Sequence, residues 1–149
     1  DMIEILESNN LDYITNSHSL KGHCPDGFDI EIFTMDGLEK ISKIDDLLPS
    51  EKEHVTFPFI NRSGFKTHYL QECPANYSDL RLTLDVAEDY NLIRKIIANL
   101  PKEKLFNSTM EEICELVIDK KFDKINNTII KSHGWKSAFE KDKSFLNKK

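Results

Sequence analysis

The sequence predicts an α/β fold, and three observations carry that expectation. Apolar and polar residues alternate in several short runs, most cleanly in Phe28-Asp29-Ile30-Glu31-Ile32-Phe33 and Asp79-Leu80-Arg81-Leu82-Thr83-Leu84, the period-two pattern of half-buried strands. At Asp85 the period changes to 3.6, so that Leu92, Ile93, Ile96, Ile97 and Leu100 fall along one helix face. Runs of the two kinds succeed one another along the chain, as expected of strands covered by helices. With 149 residues, 39% of them apolar, the chain is long enough for one domain with its own core, and no internal repeat divides it.

The elements follow in order. Asp1 to Asn9 places Ile3 and Leu6 at helical spacing and reads as the back end of a helix stopping at Asn9-Asn10. Leu11 to Thr15 reads as a strand, and Asn16 to Gly27 as a polar loop holding His18, His23 and Cys24. The strand Phe28 to Phe33 puts Asp29 and Glu31 on one face. Thr34 or Asp36 can cap the next helix, whose apolar stripe is Leu38, Ile41 and Ile44 to Leu48, with Pro49-Ser50 as its end. In the segment from Glu53 to Ile60 two phenylalanines flank Pro58, which argues against a regular central strand. Asn61 to Gly64 reads as a turn, Phe65 to Leu70 as a strand, Cys73 to Ser78 as a loop and Asp79 to Leu84 as another strand. The helix after Asp85 ends before Pro101. Ser108-Thr109-Met110-Glu111 reads as a capping box opening a helix with Ile113, Leu116 and Val117 inside. Ile125, Ile129 and Ile130 follow, then a break at His133-Gly134-Trp135 and a loose tail from Ser137. Residues 101–149 form a helical C-terminal extension in this reading, and 1–149 one domain.

Composition narrows the function. The net charge of −6 repels phosphate backbones, so nucleic-acid binding is not expected. Nine lysines between Lys120 and Lys149 read either as a solvated helix with a frayed end or as a polybasic tail. No window approaches the roughly 18 consecutive apolar residues of a membrane span, so no membrane partner is expected. Cys24, Cys73 and Cys114 are widely spaced, with no C-x-x-C pair, so neither a zinc knuckle nor a redox motif is indicated. That usage suits a reducing, cytoplasmic compartment.

The junction Arg81 to Asp89 holds the most informative candidates. Ligands of open α/β sheets sit at the carboxyl ends of strands, where Asp85 is expected. A carboxylate there is a hard oxygen ligand for Mg²⁺ bridging nucleotide phosphates. Asp85 with Glu88 equally reads as a helix cap and capping-box partner. Asp29 and Glu31 could share a sugar hydroxyl or a metal-bound water, or simply face solvent, and Asp26-Gly27 is a common turn before a strand. The five histidines, at 18, 23, 54, 68 and 133, match no standard zinc spacing. No G-x-S-x-G, H-E-x-x-H or G-x-x-x-x-G-K-[ST] occurs, and the glycines never cluster into a phosphate-cradling loop.

Three stretches carry a family resemblance. Pro25-Asp26-Gly27-Phe28-Asp29-Ile30-Glu31-Ile32-Phe33 resembles a "PDG-(L/F)-D-(V/I)-E-(V/I)-F" strand, Glu53-His54-Val55-Thr56 an "EHVT" element, and Arg81-Leu82-Thr83-Leu84-Asp85 an "R-(L/W)-T-(V/L)-D" strand end. Asn126 to Ser137 resembles the C-terminal end of the same group. In order and at plausible spacing, they resemble the C-terminal half of the cytidylyltransferase-like, spore coat polysaccharide biosynthesis family, related to the CMP-sugar synthetases. The resemblance implies a nucleotide-diphospho-sugar-transferase-like (GT-A, Rossmann-like) mixed sheet with flanking helices. It implies a Mg²⁺-dependent reaction in which a sugar oxygen attacks the α-phosphate of CTP, or another nucleotide, and releases pyrophosphate, and a homodimer as the working form. By the same resemblance Asp85 binds the Mg²⁺, with Asp89 in reserve; Asp29, Glu31, His54 and Thr56 line the sugar-acceptor side; and Asp26, Gly27 and Arg81 complete the substrate-binding set.

Two departures matter. "EHVT" normally continues into "PY", whereas Phe57-Pro58 follows here. The family's N-terminal half, with its basic glycine-containing loop and first metal aspartate, has no counterpart in these residues, so the chain alone is expected to be inactive. The alternative from another class is a non-catalytic oligomerisation or interaction module.

Overall fold

The computed structural model describes residues 1–17, 23–70, 73, 75–129 and 133–147. In chain order its elements are α1 (Met2–Ser8), β1 (Tyr13–Thr15), β2 (Glu31–Phe33), α2 (Met35–Ser42), α3 (Pro49–Glu53), α4 (Phe57–Asn61), β3 (Thr67–Tyr69), α5 (Ala87–Asn99), α6 (Met110–Asp119) and α7 (His133–Leu146), with 3₁₀ turns at Lys102–Lys104 and Phe122–Ile125. The fold is mixed α/β. The chain divides into two units, one from the described residues of Asp1–Thr15, Ile30–Leu70 and Ser132–Lys149, the other from those of Asn16–Asp29 and Gln71–Lys131. Of the helices after residue 101, α6 belongs to the second unit and α7 to the first.

The first unit is built on a three-stranded sheet of order β2-β1-β3. β1 pairs antiparallel with β2, Ile14 opposite Ile32, and parallel with β3, Ile14 opposite His68. This register puts Tyr13, Thr15, Glu31, Phe33, Thr67 and Tyr69 on one face and Ile14, Ile32 and His68 on the other. Phe59 packs on the first face, stacked on Tyr13 at 5.2 Å and on Phe33 at 5.8 Å, with Phe65 edge-on at 4.9 Å. Ile41 completes this core. A Cβ on Gly37 would stand 2.8 Å from the Phe59 ring, which is why α2 tolerates a glycine in its first turn.

Several expectations change here. Of the two candidate caps for α2 the structure uses Thr34, whose Oγ1 accepts from the Gly37 N–H at 3.1 Å. The helix stops at Ser42 rather than Leu48, because Arg62 draws Asp46 away, donating to its carboxylate at 2.8 Å and to its carbonyl at 3.0 Å. Pro49 starts α3 instead of ending α2. Pro58 sits in the first turn of α4, where the missing N–H costs nothing. The strand at Phe28–Phe33 shrinks to Glu31–Phe33, so Asp29 is not on it.

The expected break at His133–Trp135 and the loose tail are also corrected: α7 runs through both. Its Asp142 accepts from the Ser50 N–H at 2.8 Å and from the Ser50 hydroxyl at 2.5 Å. Lys141 reaches Glu53 at 2.6 Å, and Phe139 stacks on Phe57 at 5.2 Å.

In the second unit α5, α6 and the 3₁₀ turns enclose Tyr77, Leu80, Leu82, Leu92, Ile96, Cys114 and Val117. The capping box of α6 lies one residue later than expected. Thr109 and Glu112 exchange the bonds, Thr109 Oγ1 accepting at 3.3 Å and the Glu112 carboxylate at 3.0 Å. The strand expected at Asp79–Leu84 is reduced to a single parallel bridge, Asp26 to Arg81. No helix among the described residues is long and apolar enough to cross a membrane.

Candidate functional site

The predicted site residues fall into two sets, one in each unit. Asp26, Gly27, Asp29, Arg81, Asp85 and Asp89 belong to the second unit, and Glu31, His54 and Thr56 to the first.

The second-unit set is organised by Arg81, a side chain only 5% exposed. Its guanidinium donates to Asp89 through Nε at 3.0 Å and Nη2 at 2.8 Å, the two-point geometry that suits a planar fork. Nη2 also reaches Asp85 Oδ2 at 2.8 Å, and Nη1 stands 3.5 Å from Asp26 Oδ2. Asp26 is held by its backbone as well, its N–H donating to Leu80 O at 3.1 Å and its carbonyl accepting from Leu82 at 2.6 Å. Gly27 allows that approach. With φ at +109°, a Cβ there would lie 2.6 Å from the Leu82 carbonyl carbon and oxygen, so any side chain would collide with backbone. The two stretches of sequence around Asp26-Gly27 and Arg81-Asp85 therefore interlock. Asp29 belongs to the turn, its Oδ2 accepting from the Gly27 N–H at 3.1 Å.

Asp89 has no exposed side-chain surface. Besides Arg81 it accepts from Asn126 Nδ2 at 2.8 Å, Thr83 Oγ1 at 3.2 Å, and the N–H groups of Asp85 at 3.0 Å and Val86 at 3.4 Å. It thus satisfies the open start of α5, a role the sequence reading gave to Asp85 and Glu88. Burial alone would raise its pKa, but the bonds from Arg81, Asn126 and Asp85 outweigh burial and hold the carboxylate well below its usual range. In turn the Asp89 bond, opposed by burial, raises Arg81. Two expectations change accordingly. Arg81 is occupied by internal carboxylates rather than presented to a substrate. Asp89 is a structural anion with no oxygen left for a metal.

Asp85 differs from both, its side chain being 66% exposed. Among the described residues no group of three or more His, Cys, Asp or Glu side chains is arranged to hold a metal ion. The cation among these carboxylates is the guanidinium itself. The donor set therefore does not make a protein-held Mg²⁺ site. It leaves Asp85 as an exposed carboxylate, a hard oxygen donor.

The first-unit set centres on Glu31. The Tyr13 hydroxyl donates to Glu31 Oε1 at 2.6 Å, and the Thr56 hydroxyl donates to Oε2 at 3.0 Å. Burial, reinforced by the Glu31 carboxylate, holds the Tyr13 proton far above the ordinary phenol range. Glu31 thus joins the strand to the segment Glu53–Thr56. His54 does not join it. Its ring stacks on Phe57 at 4.5 Å, and its buried Nε2 makes no hydrogen bond among the described residues. Thr15 and Tyr69 share this sheet face, the Thr15 hydroxyl donating to the Ile30 carbonyl at 2.9 Å, while Phe59 stacks on Tyr13.

Sequence reasoning missed Tyr13 and the anchoring part of Asn126, whose Nδ2 also donates to the Arg81 carbonyl at 2.9 Å. A tyrosine in a short apolar strand and an asparagine after a helix carry no local signal. His18 lies outside the described residues, as does Ile130.

No family model matches the chain. An uncharacterized protein of Methanocaldococcus jannaschii is 36% identical over 95 residues, which make up 60% of this chain and 35% of that protein. A cytidylyltransferase of known structure from Leptospira borgpetersenii serovar Hardjo-bovis matches with a TM-score of 0.71 and 29% sequence identity, over 87% of this chain and 52% of that one. The chain spans about a third of the first and about half of the second. In its mixed α/β fold, and in sequence over most of its length, the chain is therefore similar to part of a cytidylyltransferase.

Proposed function

We propose that these residues are the acceptor side of a sugar-activating nucleotidyltransferase of the cytidylyltransferase kind, working in the cytoplasm on a precursor of a surface polysaccharide or related glycan. The observation that carries the reading is the similarity to a cytidylyltransferase over 87% of the chain. The finer assignment to the C-terminal half, to a GT-A, Rossmann-like sheet and to the spore coat polysaccharide group is part of the same proposal, supported by the three motifs of the sequence.

The residues divide the labour as follows. Glu31, held by the hydroxyls of Thr56 and Tyr13, offers a carboxylate that can accept hydrogen bonds from sugar hydroxyls. Because two protein donors already hold the carboxylate, it meets a sugar in one orientation, and orientation is what a displacement at phosphorus requires of the attacking oxygen. Arg81, fixed by Asp89, orients the Asp85 carboxylate outward. When bound with the nucleotide, Mg²⁺ would neutralise charge developing on the phosphates, and Asp85 would be the one ligand from these residues.

The test is pyrophosphate release from CTP, with Mg²⁺ and a panel of sugars, by a protein that joins this chain to a nucleotide-binding half. Asp85→Ala should abolish turnover while the protein stays folded, and Thr56→Val should raise KM for the sugar more than for CTP. Turnover indifferent to both changes would end the proposal. The chain alone should neither bind CTP at micromolar concentration nor release pyrophosphate, since it carries no glycine-rich phosphate loop and a net charge of −6.

A second reading, a non-catalytic interaction or oligomerisation module, is favoured by Phe106, which is 96% exposed. With the neighbouring Leu105, 38% exposed, it starts an apolar patch, and a patch rather than a single side chain is what marks a contact with another protein surface. A longer protein that associates through Phe106 yet never turns over CTP would support that reading.

A further inference from the structure

Three cysteines with no motif spacing meet in the second unit. The Sγ atoms of Cys24 and Cys73 lie 2.7 Å apart, well inside van der Waals contact of two sulfurs, although 49 positions separate them in sequence. Cys24 is buried and Cys73 half-buried, and both are thiols. Cys114 is fully buried nearby, and Met110 Sδ stands 4.0 Å from Cys73. A disulfide needs an S–S separation of about 2.05 Å and α-carbons close enough to be bridged, so a pair already in sulfur contact needs little backbone movement to close. The two cysteines also lie on different segments of their unit, Cys24 on Asn16–Asp29 and Cys73 on Gln71–Lys131. Cys24 immediately precedes Pro25-Asp26-Gly27, the stretch locked onto Arg81.

We propose that Cys24 and Cys73 are an oxidative modification site, closing to a disulfide that ties the two segments of this unit together when the protein meets a peroxide. The half-buried Cys73 is the point of attack. Its thiolate cleaves the O–O bond of hydrogen peroxide, taking one oxygen as a sulfenic acid and releasing hydroxide, which is protonated to water. Cys24 then attacks the sulfenic sulfur and expels that oxygen as a second water. In sum two thiols lose two protons and two electrons, and one peroxide becomes two waters. A thiol or dithiol reductant reverses the closure through a mixed disulfide. Burial first, and the Cys24 contact next, push the Cys73 thiol up to about 12, so little of it is ionised near neutrality and closure is slow. The pair therefore answers sustained rather than momentary oxidant.

The experiment treats the folded chain with excess hydrogen peroxide for hours, blocks remaining thiols with N-ethylmaleimide, and maps the digest by mass spectrometry with and without dithiothreitol. The expected result is a Cys24–Cys73 cross-linked peptide, 2 Da lighter than the sum of its parts, lost on reduction, with Cys114 recovered alkylated. The same link should form in Cys114→Ser and be absent from Cys73→Ser. All three cysteines recovered as alkylated thiols would overturn the proposal. So would a principal link through Cys114, or Cys73 recovered as sulfinic acid with Cys24 still a thiol. Should Cys73→Ser fail to fold, the wild-type map decides alone.

Discussion

Truncating Asp89 to alanine separates the structural anion from the exposed one. Arg81 is 5% exposed and Asp89 0%, so the change leaves a buried guanidinium with Asp26 at 3.5 Å and only the solvated Asp85 as a close partner. Breaking a buried pair by removing one member costs about 3–5 kcal/mol, a figure that overlaps with loss of the bonds at the start of α5. At about 2–4 °C per kcal/mol for a chain of this size, the melting temperature should fall by about 6–20 °C. Asp85→Ala removes an anion that is 66% exposed and should cost no more than about 1 kcal/mol. Urea unfolding followed by far-UV circular dichroism measures both. A second readout is pH. Because the folded-state pKa of Asp89 is lowered, its contribution is fully present above the unfolded carboxylate value of about 4 and is lost as pH falls through the acid range below it. The stability gap between wild type and Asp89→Ala should therefore be constant near neutrality and narrow below about pH 4. A loss under about 1 kcal/mol for Asp89→Ala, or an equal loss for Asp85→Ala, would refute the division of roles.

Three further outcomes are expected. Gly27→Ala should destabilise by more than the roughly 1–3 kcal/mol of a left-handed non-glycine residue, since its Cβ also meets Leu82 backbone at 2.6 Å; an unchanged urea midpoint would show that the two stretches do not interlock. Tyr13→Phe should cost about 1.5–3 kcal/mol, the worth of a hydrogen bond to a charged acceptor, with the unfolding midpoint as the measure. Light scattering at several concentrations should show a species above 17.3 kDa, since β2 and β3 are edges of a three-stranded sheet, while a strict monomer at high concentration would count against the homodimer that the family resemblance implies.

How far the sequence could be read depended on whether a local pattern or a distant partner set the outcome. The helix at Ala87–Asn99 was legible because burial of an amphipathic stripe decides it within its own residues, and the strand at Tyr13–Thr15, buried at all three positions, because its residue types favour a strand. The strand at Asp79–Leu84 was not. Alternation there is real, with Leu80 and Leu82 buried, but Arg81 between them is buried too, because three carboxylates converge on it. Period two normally marks one wet face, and here Arg81, on the side expected to be wet, is as buried as Leu80 and Leu82. The tail from Ser137 was misjudged in the opposite sense. Its lysines suggest a solvated end, and only Ser50, 92 positions away, shows that Asp142 is an anchor.

The same distinction bears on what the motif stretches of this sequence mean. Asp26 and Gly27 resemble binding residues because they stand in a motif, yet their geometry accounts for them without a ligand: Gly27 is the residue that fits against the Leu82 carbonyl, and Asp26 bridges to Arg81 through both backbone and side chain. Arg81 and Asp89 complete that lock. A lock so thoroughly satisfied has one consequence for chemistry. It fixes the start of α5 and with it Asp85, the carboxylate of this group that keeps most of its surface in solvent. The Glu31 cluster follows the same logic in the first unit, where Tyr13 and Thr56 are donors to a carboxylate whose residue stays exposed. In each unit buried partners hold a more exposed carboxylate, and the residue to mutate first for function is the one they hold. Asp85→Ala and Glu31→Gln should therefore change turnover more than stability, and changes at Asp89 or Tyr13 should do the reverse.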